Sequence, residues 1–273
     1  MIHEKQQGIV HALNRGLMHA TGKYIARMDA DDWSFPERLN LQRLFLESNL
    51  SCDVVAGKAI YVSHNDKTQG FTRYVNWSNS IDSSKLIRLR QFIESPIIHP
   101  TVMWRKRISD KYGAYKYGNF PEDYELWLRW LHKGVEFQKL KEPIIKWFDN
   151  EKRLTREDDR YSDLAFSKIR SKYLAKWLMK YNPHHPKVFI WGASKISRKR
   201  ANLLLDHGIE ISAFIDISSK RQIDQQIIDY QKIPSNDKIF VLVFLKEEKM
   251  RAKTQQYLEK SGFTEGESYL LTS

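Results

Sequence analysis

The sequence predicts an α/β protein, and three observations carry that reading. Helix-spaced and strand-like apolar runs alternate along the chain, as they do where helices cover a sheet. Three carboxylates, Asp29, Asp31 and Asp32, directly follow a short apolar run, at the strand end where open α/β sheets place ligands. A proline-bounded break, Asn182-Pro-His-His-Pro186, precedes a fresh β-α-β pattern. These mark residues 1–150 as one region, 151–186 as a connector with an amphipathic helix, and 187–273 as a small parallel-sheet region.

The elements follow in order. Ile9, Ala12, Leu13, Leu17 and Ala20 recur at helical spacing until Thr21-Gly22 ends them, and Tyr24 to Met28 is a short strand. Ser34 is placed to cap a helix with Pro36 in its first turn and Glu37 at its third position, running to about Ser48. Asp53 to Val62 is a buried strand, Ile81 to Phe92 a helix, and Thr101 to Trp104 a strand leading into the basic run Arg105-Lys-Arg107. Pro121 opens a helix with Leu126, Trp127, Trp130 and Leu131 on one side, and Glu122 and Asp123 in its first turn beside the positive helix end. Ser162 to Tyr181 is a long amphipathic helix. Beyond the break come a strand (Lys187 to Trp191), a turn at Gly192 to Ser194, a helix (Lys195 to His207) and a strand (Ile211 to Ile215) ending at Asp216. A strand at Ile239 to Leu245 and a helix at Glu247 to Ser261 complete the pattern.

Composition narrows the class. With 273 residues, 41% of them hydrophobic and 12% aromatic, the chain has material for real cores. The lone Cys52 rules out an internal disulfide, so a reducing cytoplasm is the default compartment. The longest apolar run, Ile239 to Leu245, is far shorter than the roughly 20 residues of a membrane span. Any membrane contact is then peripheral, at the inner face, where the helix Lys172 to Tyr181 could rest on anionic lipid or pack between domains. Of the formal +12, residues 1–186 carry +9, with 31 Lys and Arg against 22 Asp and Glu. That excess favours anionic partners. Nucleic acid is disfavoured among them, because Arg105-Lys-Arg107 and Arg198-Lys-Arg200 are not interleaved with a recognised binding motif.

The two acidic sites have chemistry available to them. Alternate carboxylates at a strand end can bind Mg²⁺ or Mn²⁺ that also takes phosphate oxygens, or they can form an Asx-type turn. A carboxylate on a helix amino terminus can accept a proton from a hydroxyl nucleophile, or simply complement the helix dipole.

Asn14-Arg-Gly16, Ala20-Thr-Gly-Lys-Tyr-Ile-Ala-Arg-Met-Asp-Ala-Asp-Asp32, Pro36-Glu-Arg-Leu39 with Gln42, His99-Pro-Thr101 and Pro121-Glu-Asp-Tyr-Glu-Leu-Trp-Leu-Arg129 together resemble the family 2 glycosyltransferases of GT-A fold, over roughly residues 8–150. The resemblance implies a nucleotide-diphospho-sugar donor held by Asp29 and Asp31 with Mn²⁺ or Mg²⁺, and Asp123 as catalytic base. It implies inverting transfer to a hydroxyl of a glycan or lipid-linked acceptor in bacterial surface polysaccharide assembly. His99 is a candidate contact to the sugar or diphosphate. Arg156, in an arginine-dense stretch after the domain, is a candidate clamp on the diphosphate.

Relatives of that family begin with a strand, helix and strand ahead of the segment matching Gln7-Gly8. The expectation is therefore a GT-A domain lacking this piece, and the alternative function is an inactive fragment or nucleotide-binding module. Residues 187–273 resemble a Rossmann-like half domain in which Gly192 keeps the first glycine place, Ser194 and Ser197 take the others, and Asp216 lies where a ribose-binding acid would.

Overall fold

The structure is a computed structural model that describes residues 4–63, 69–150, 158–217 and 226–273. The chain divides into two compact units, one of residues 1–88 with 95–166 and one of 89–94 with 167–273.

Over the first 150 residues the elements are α1 (Ile9–His19), β1 (Tyr24–Ala26), β2 (Trp33–Ser34), α2 (Arg38–Ser48), β3 (Val54–Val62), α3 (Gln69–Ser80), α4 (Ser84–Arg90), β4 (Met103–Arg105), α5 (Lys106–Tyr112), α6 (Glu122–His132) and β5 (Phe137–Phe148). The five strands form one mixed sheet in the order β1-β4-β3-β5-β2, with β3 and β5 parallel and the other pairs antiparallel.

Strand β3 is apolar on both faces because both are covered. Val54 and Ala56 join Trp104, Trp127, Trp130 and Phe137 in a core that also takes Ile9, Leu13 and Leu17 of α1. Val55 and Ala59 face the other way, against Leu46 of α2 with Met103, Ile144 and Ile145. Each large apolar side chain so buried contributes roughly 1.5–3 kcal/mol. Between these positions a Cβ on Gly57 would lie 2.4 Å from the Ile144 side chain, which would have to shift to admit it. The β3 and β5 register is irregular on either side of Lys58, opposite Pro143.

Several elements differ from expectation. Ser34 does not cap α2: it pairs with Ile145 in the sheet, and the helix starts at Arg38, whose N–H reaches Phe35 O at 3.1 Å. Thr101 is not in a strand, because its N–H and hydroxyl both turn back to Ile98 O, at 2.9 and 2.7 Å. The helix expected from Ile81 to Phe92 is shorter, Ser84–Arg90, and α3 and β5 are additions.

The second unit contains most of α7 (Asp163–Tyr181), then β6 (Lys187–Trp191), α8 (Lys195–Asn202), β7 (Glu210–Asp216), β8 (Ile227–Asp229), β9 (Val241–Phe244), α9 (Glu248–Lys260) and β10 (Tyr269–Thr272). Its sheet is parallel throughout, in the order β10-β9-β6-β7-β8, so the first strand in the chain is the middle strand in space. Ser194 caps α8, accepting the Ser197 N–H at 3.1 Å. Along α7 the apolar face is covered at Ile169, Tyr173, Leu174 and Leu178, while Met179 and Tyr181 are exposed. Among the described residues no helix is long and apolar enough to cross a membrane.

Candidate active site

The acidic cluster leaves β1 through a buried polar network. After Ala26 the Arg27 N–H still reaches Val102 O at 3.1 Å, and the Arg27 side chain, 7% exposed, forms an ion pair with Asp29. Arg38 donates from Nη2 to Arg27 O at 2.6 Å and from Nε to Gln42 Oε1 at 3.1 Å. Gln42 in turn donates to Val55 O at 3.0 Å and Thr101 O at 2.8 Å. Arg38 and Gln42 thus fix where the chain exits the sheet. Buried polar groups of this kind hold one geometry because any other leaves donors unpaired. Asp32 closes the turn: its N–H reaches Asp29 O at 3.3 Å, and its Oδ1 accepts the Phe148 N–H at 3.1 Å. Asp31 is exposed.

Asp123 lies in the first turn of α6, where Oδ1 accepts the Tyr124 N–H at 2.7 Å. Its side chain is 23% exposed and its Oδ2 is 3.9 Å from His99 Nδ1. Burial first, and the adjacent Glu122 second, push Asp123 up to about 7, overriding the Tyr124 N–H and the Arg27 charge, which act to lower it. Glu122 is itself buried and accepts the Tyr161 hydroxyl at 2.6 Å.

His99 comes from the short turn His99–Thr101, is 8% exposed, and meets Trp127 edge to face at 5.8 Å between centroids. Burial and then the Arg27 charge hold it well below the usual histidine range, so the ring is neutral at pH 7. Its Nε2 is 2.7 Å from the Tyr115 hydroxyl, and burial keeps that phenol protonated. In the tautomer in which Tyr115 donates to Nε2, the ring proton of His99 is on Nδ1, facing Asp123; in the other tautomer Nε2 donates to the Tyr115 hydroxyl.

The candidate residues are thus unevenly distributed. Arg27 pairs with Asp29 and its charge also acts on Asp123, His99 and Tyr115, which makes these five one electrostatic neighbourhood. Asp31 is on the exposed side of the acidic turn, and Arg156 lies outside the described residues. Trp127 is fully buried, and Arg129 is buried between Glu125 and the carbonyls of Gly113 (2.9 Å) and Ala114 (2.7 Å). The basic run is also engaged within the fold: Arg105 donates to Cys52 O at 2.9 Å, Lys106 to Asp110 at 3.0 Å and Arg107 to Asp53 at 3.0 Å. Sequence reasoning assigned no role to Arg27, Asp32 or Tyr115. A charged residue inside the apolar run Tyr24 to Met28 was the available signal for Arg27.

Among the described residues no three His, Cys, Asp or Glu side chains assemble a metal cage. The nearby oxygens are those of Asp29, ion-paired with Arg27, and of the exposed Asp31; carboxylate oxygens are hard donors of the kind Mg²⁺ and Mn²⁺ take.

Residues 1–113 match the family described as Glycosyl transferase family 2. The match covers 113 of the 273 residues. The mixed sheet that this segment contributes to fits a GT-A-like fold. Among similar proteins, the amylovoran biosynthesis glycosyltransferase AmsE of Erwinia amylovora is 32% identical over 143 residues, 52% of this chain and 51% of that one. The O-antigen biosynthesis glycosyltransferase WbnJ of Escherichia coli is 28% identical over 171 residues, 62% of each chain. The E. coli UDP-Gal:alpha-D-GlcNAc-diphosphoundecaprenol beta-1,3-galactosyltransferase is 27% identical over 171 residues, 62% of this chain and 59% of that one. The chain therefore spans about half the length of the first relative and about six-tenths of the other two.

Proposed function

We propose that this protein transfers a sugar, with inversion, from a nucleotide-diphospho-sugar to a hydroxyl of a glycan or lipid-linked acceptor in surface polysaccharide assembly, at the cytoplasmic face of the membrane. The observation that carries the reading is Asp123: a partly exposed carboxylate raised to about 7, beside a neutral histidine, in a chain whose residues 1–113 match family 2. A base whose pKa lies near the working pH combines a usable deprotonated fraction with real proton affinity. The names of the relatives support the choice of donor, acceptor and pathway.

In this reading Asp123 takes the proton of the acceptor hydroxyl, and that oxygen forms its bond to the anomeric carbon. The bond from that carbon to the diphosphate breaks, and the electron pair leaves with the diphosphate. His99 Nδ1 steadies the charge on Asp123, and Tyr115 holds the ring in that tautomer. Arg27 holds Asp29 in an ion pair at the acidic turn. Asp29 and Asp31 would hold Mn²⁺ or Mg²⁺, which when bound neutralises charge developing on the diphosphate.

The test is release of nucleoside diphosphate by the purified chain, given nucleotide sugars, Mn²⁺ and a lipid-linked acceptor. Acceptor-dependent release that Asp123→Asn abolishes supports the proposal. Diphosphate binding without release would make the protein a nucleotide-binding module, and release that survives Asp123→Asn would remove the base assignment.

A further inference from the structure

We propose that the second unit holds a separate binding site, for a small metabolite that carries one phosphate on a short apolar body. It is independent of the transferase reading. The chain leaves β6 for β7 and β8 on one side, and returns to β9 on the other. The connections diverge at the carboxyl ends of β6 and β9, the position at which open parallel sheets form a crevice. A cavity of about 210 Å³ lies there, lined by Ser194, Ser197 and Arg200 after β6 and by Phe244, Lys246 and Met250 at and after the end of β9.

The floor of the crevice is closed by close approach. Gly192 has φ 114°, and a Cβ on it would lie 2.8 Å from Phe244 O. The Ser197 hydroxyl donates to the same carbonyl at 2.8 Å, so this serine, at the third glycine place, joins the two strand ends. Arg200 and Lys246 supply two cations in the wall, and the exposed Glu247 sets a limit on how much negative charge the site accepts. Two apolar side chains stay uncovered beside them, Ile196 at 57% and Met250 at 37% exposure. Cations next to uncovered apolar surface suit a ligand with an anionic head and an apolar body.

The same geometry argues against a dinucleotide. The volume falls below the roughly 300–1,000 Å³ of pockets that take drug-sized ligands. Asp216, the residue in the ribose-binding place, is 8% exposed, and its Oδ2 accepts the Ala193 N–H at 3.1 Å. It holds the turn after β6.

Calorimetric titration of the full chain with phenyl phosphate and with inorganic phosphate tests this. An Asp31→Asn background in EDTA suppresses metal-dependent phosphate binding at the acidic turn. Saturable binding at millimolar concentration is expected, tighter for phenyl phosphate than for inorganic phosphate. Arg200→Gln and Lys246→Gln should each weaken both by about tenfold or more, as loss of a charge-assisted hydrogen bond does. Lys246 is exposed, so its variant tests the site even if Arg200→Gln impairs folding. Absence of saturable binding, or binding that Lys246→Gln leaves unchanged, would overturn the proposal. Neither result bears on Asp123.

Discussion

Asp32 accepts the backbone N–H of Phe148 at 3.1 Å, joining the acidic turn to the far end of β5. Of the three clustered carboxylates this one acts as a structural brace, while Asp31 is exposed. Asp32→Ala leaves the Phe148 N–H without its acceptor and should cost about 1–3 kcal/mol. Asp31→Ala should change stability by less than about 0.5 kcal/mol. Urea unfolding of the two variants checks the contrast, and equal losses would contradict it.

Asp123→Asn should lower turnover by about 10²–10⁴-fold with little change in donor affinity, since the base faces the acceptor hydroxyl. The base works deprotonated. Because Asp123 is raised to about 7, kcat/KM should fall as pH drops below about 7, and hold above it. A limb near the ordinary carboxylate range would place the base elsewhere.

Arg27 lowers the affinity of Asp123 for its proton, although burial and Glu122 outweigh it. Arg27→Met should therefore move the acid limb of kcat/KM to higher pH. A variant that merely disturbed the fold would lower the rate at every pH without moving the limb, so the pH profile is the measurement that decides.

Lys139 is 5% exposed and donates to Ser78 O at 2.6 Å and Pro96 O at 2.9 Å. Burial, with Lys58 nearby, pulls it down to about 7. An unfolded lysine keeps its proton up to about 10.4. Between about 7 and about 10.4 the unfolded chain binds more protons than the folded one, so this residue makes stability rise with pH across that window. Lys139→Met should remove that part of the slope, read as a smaller stability difference between denaturant titrations at pH 7.5 and 9.5, both inside the window of about 7 to 10.4.

Some elements were legible because one periodicity governed them. In α6 the apolar side chains Leu126, Trp127, Trp130 and Leu131 are buried as their spacing implied, and β6 and β9 are plain apolar runs. Strand β5 was hidden because Lys139 and Pro143 interrupt its pattern. That lysine is tolerable inside only because carbonyls from Ser78 and Pro96, distant in sequence, meet it. Helix α3 was hidden for a related reason. Asn79 is a weak helix former, yet it pairs with β3 through both Ala59 N (3.1 Å) and Ala59 O (2.9 Å). At the candidate site, Asp29, His99 and Asp123 belong to motifs and could be picked out singly. The part of Arg27 could not, since a charge acting on several partners is a property of their convergence in space.

The second unit includes residues 89–94, and the reason is visible at β10: the Thr272 hydroxyl donates to Phe92 O at 2.9 Å and the Ser273 N–H reaches the same carbonyl at 3.2 Å. A body assembled from two separated stretches cannot be inherited as a single cassette. A recombination event that carried residues 167–273 into another gene would deliver β10 without the carbonyl its end bonds to. The two units therefore have reason to travel together through evolution.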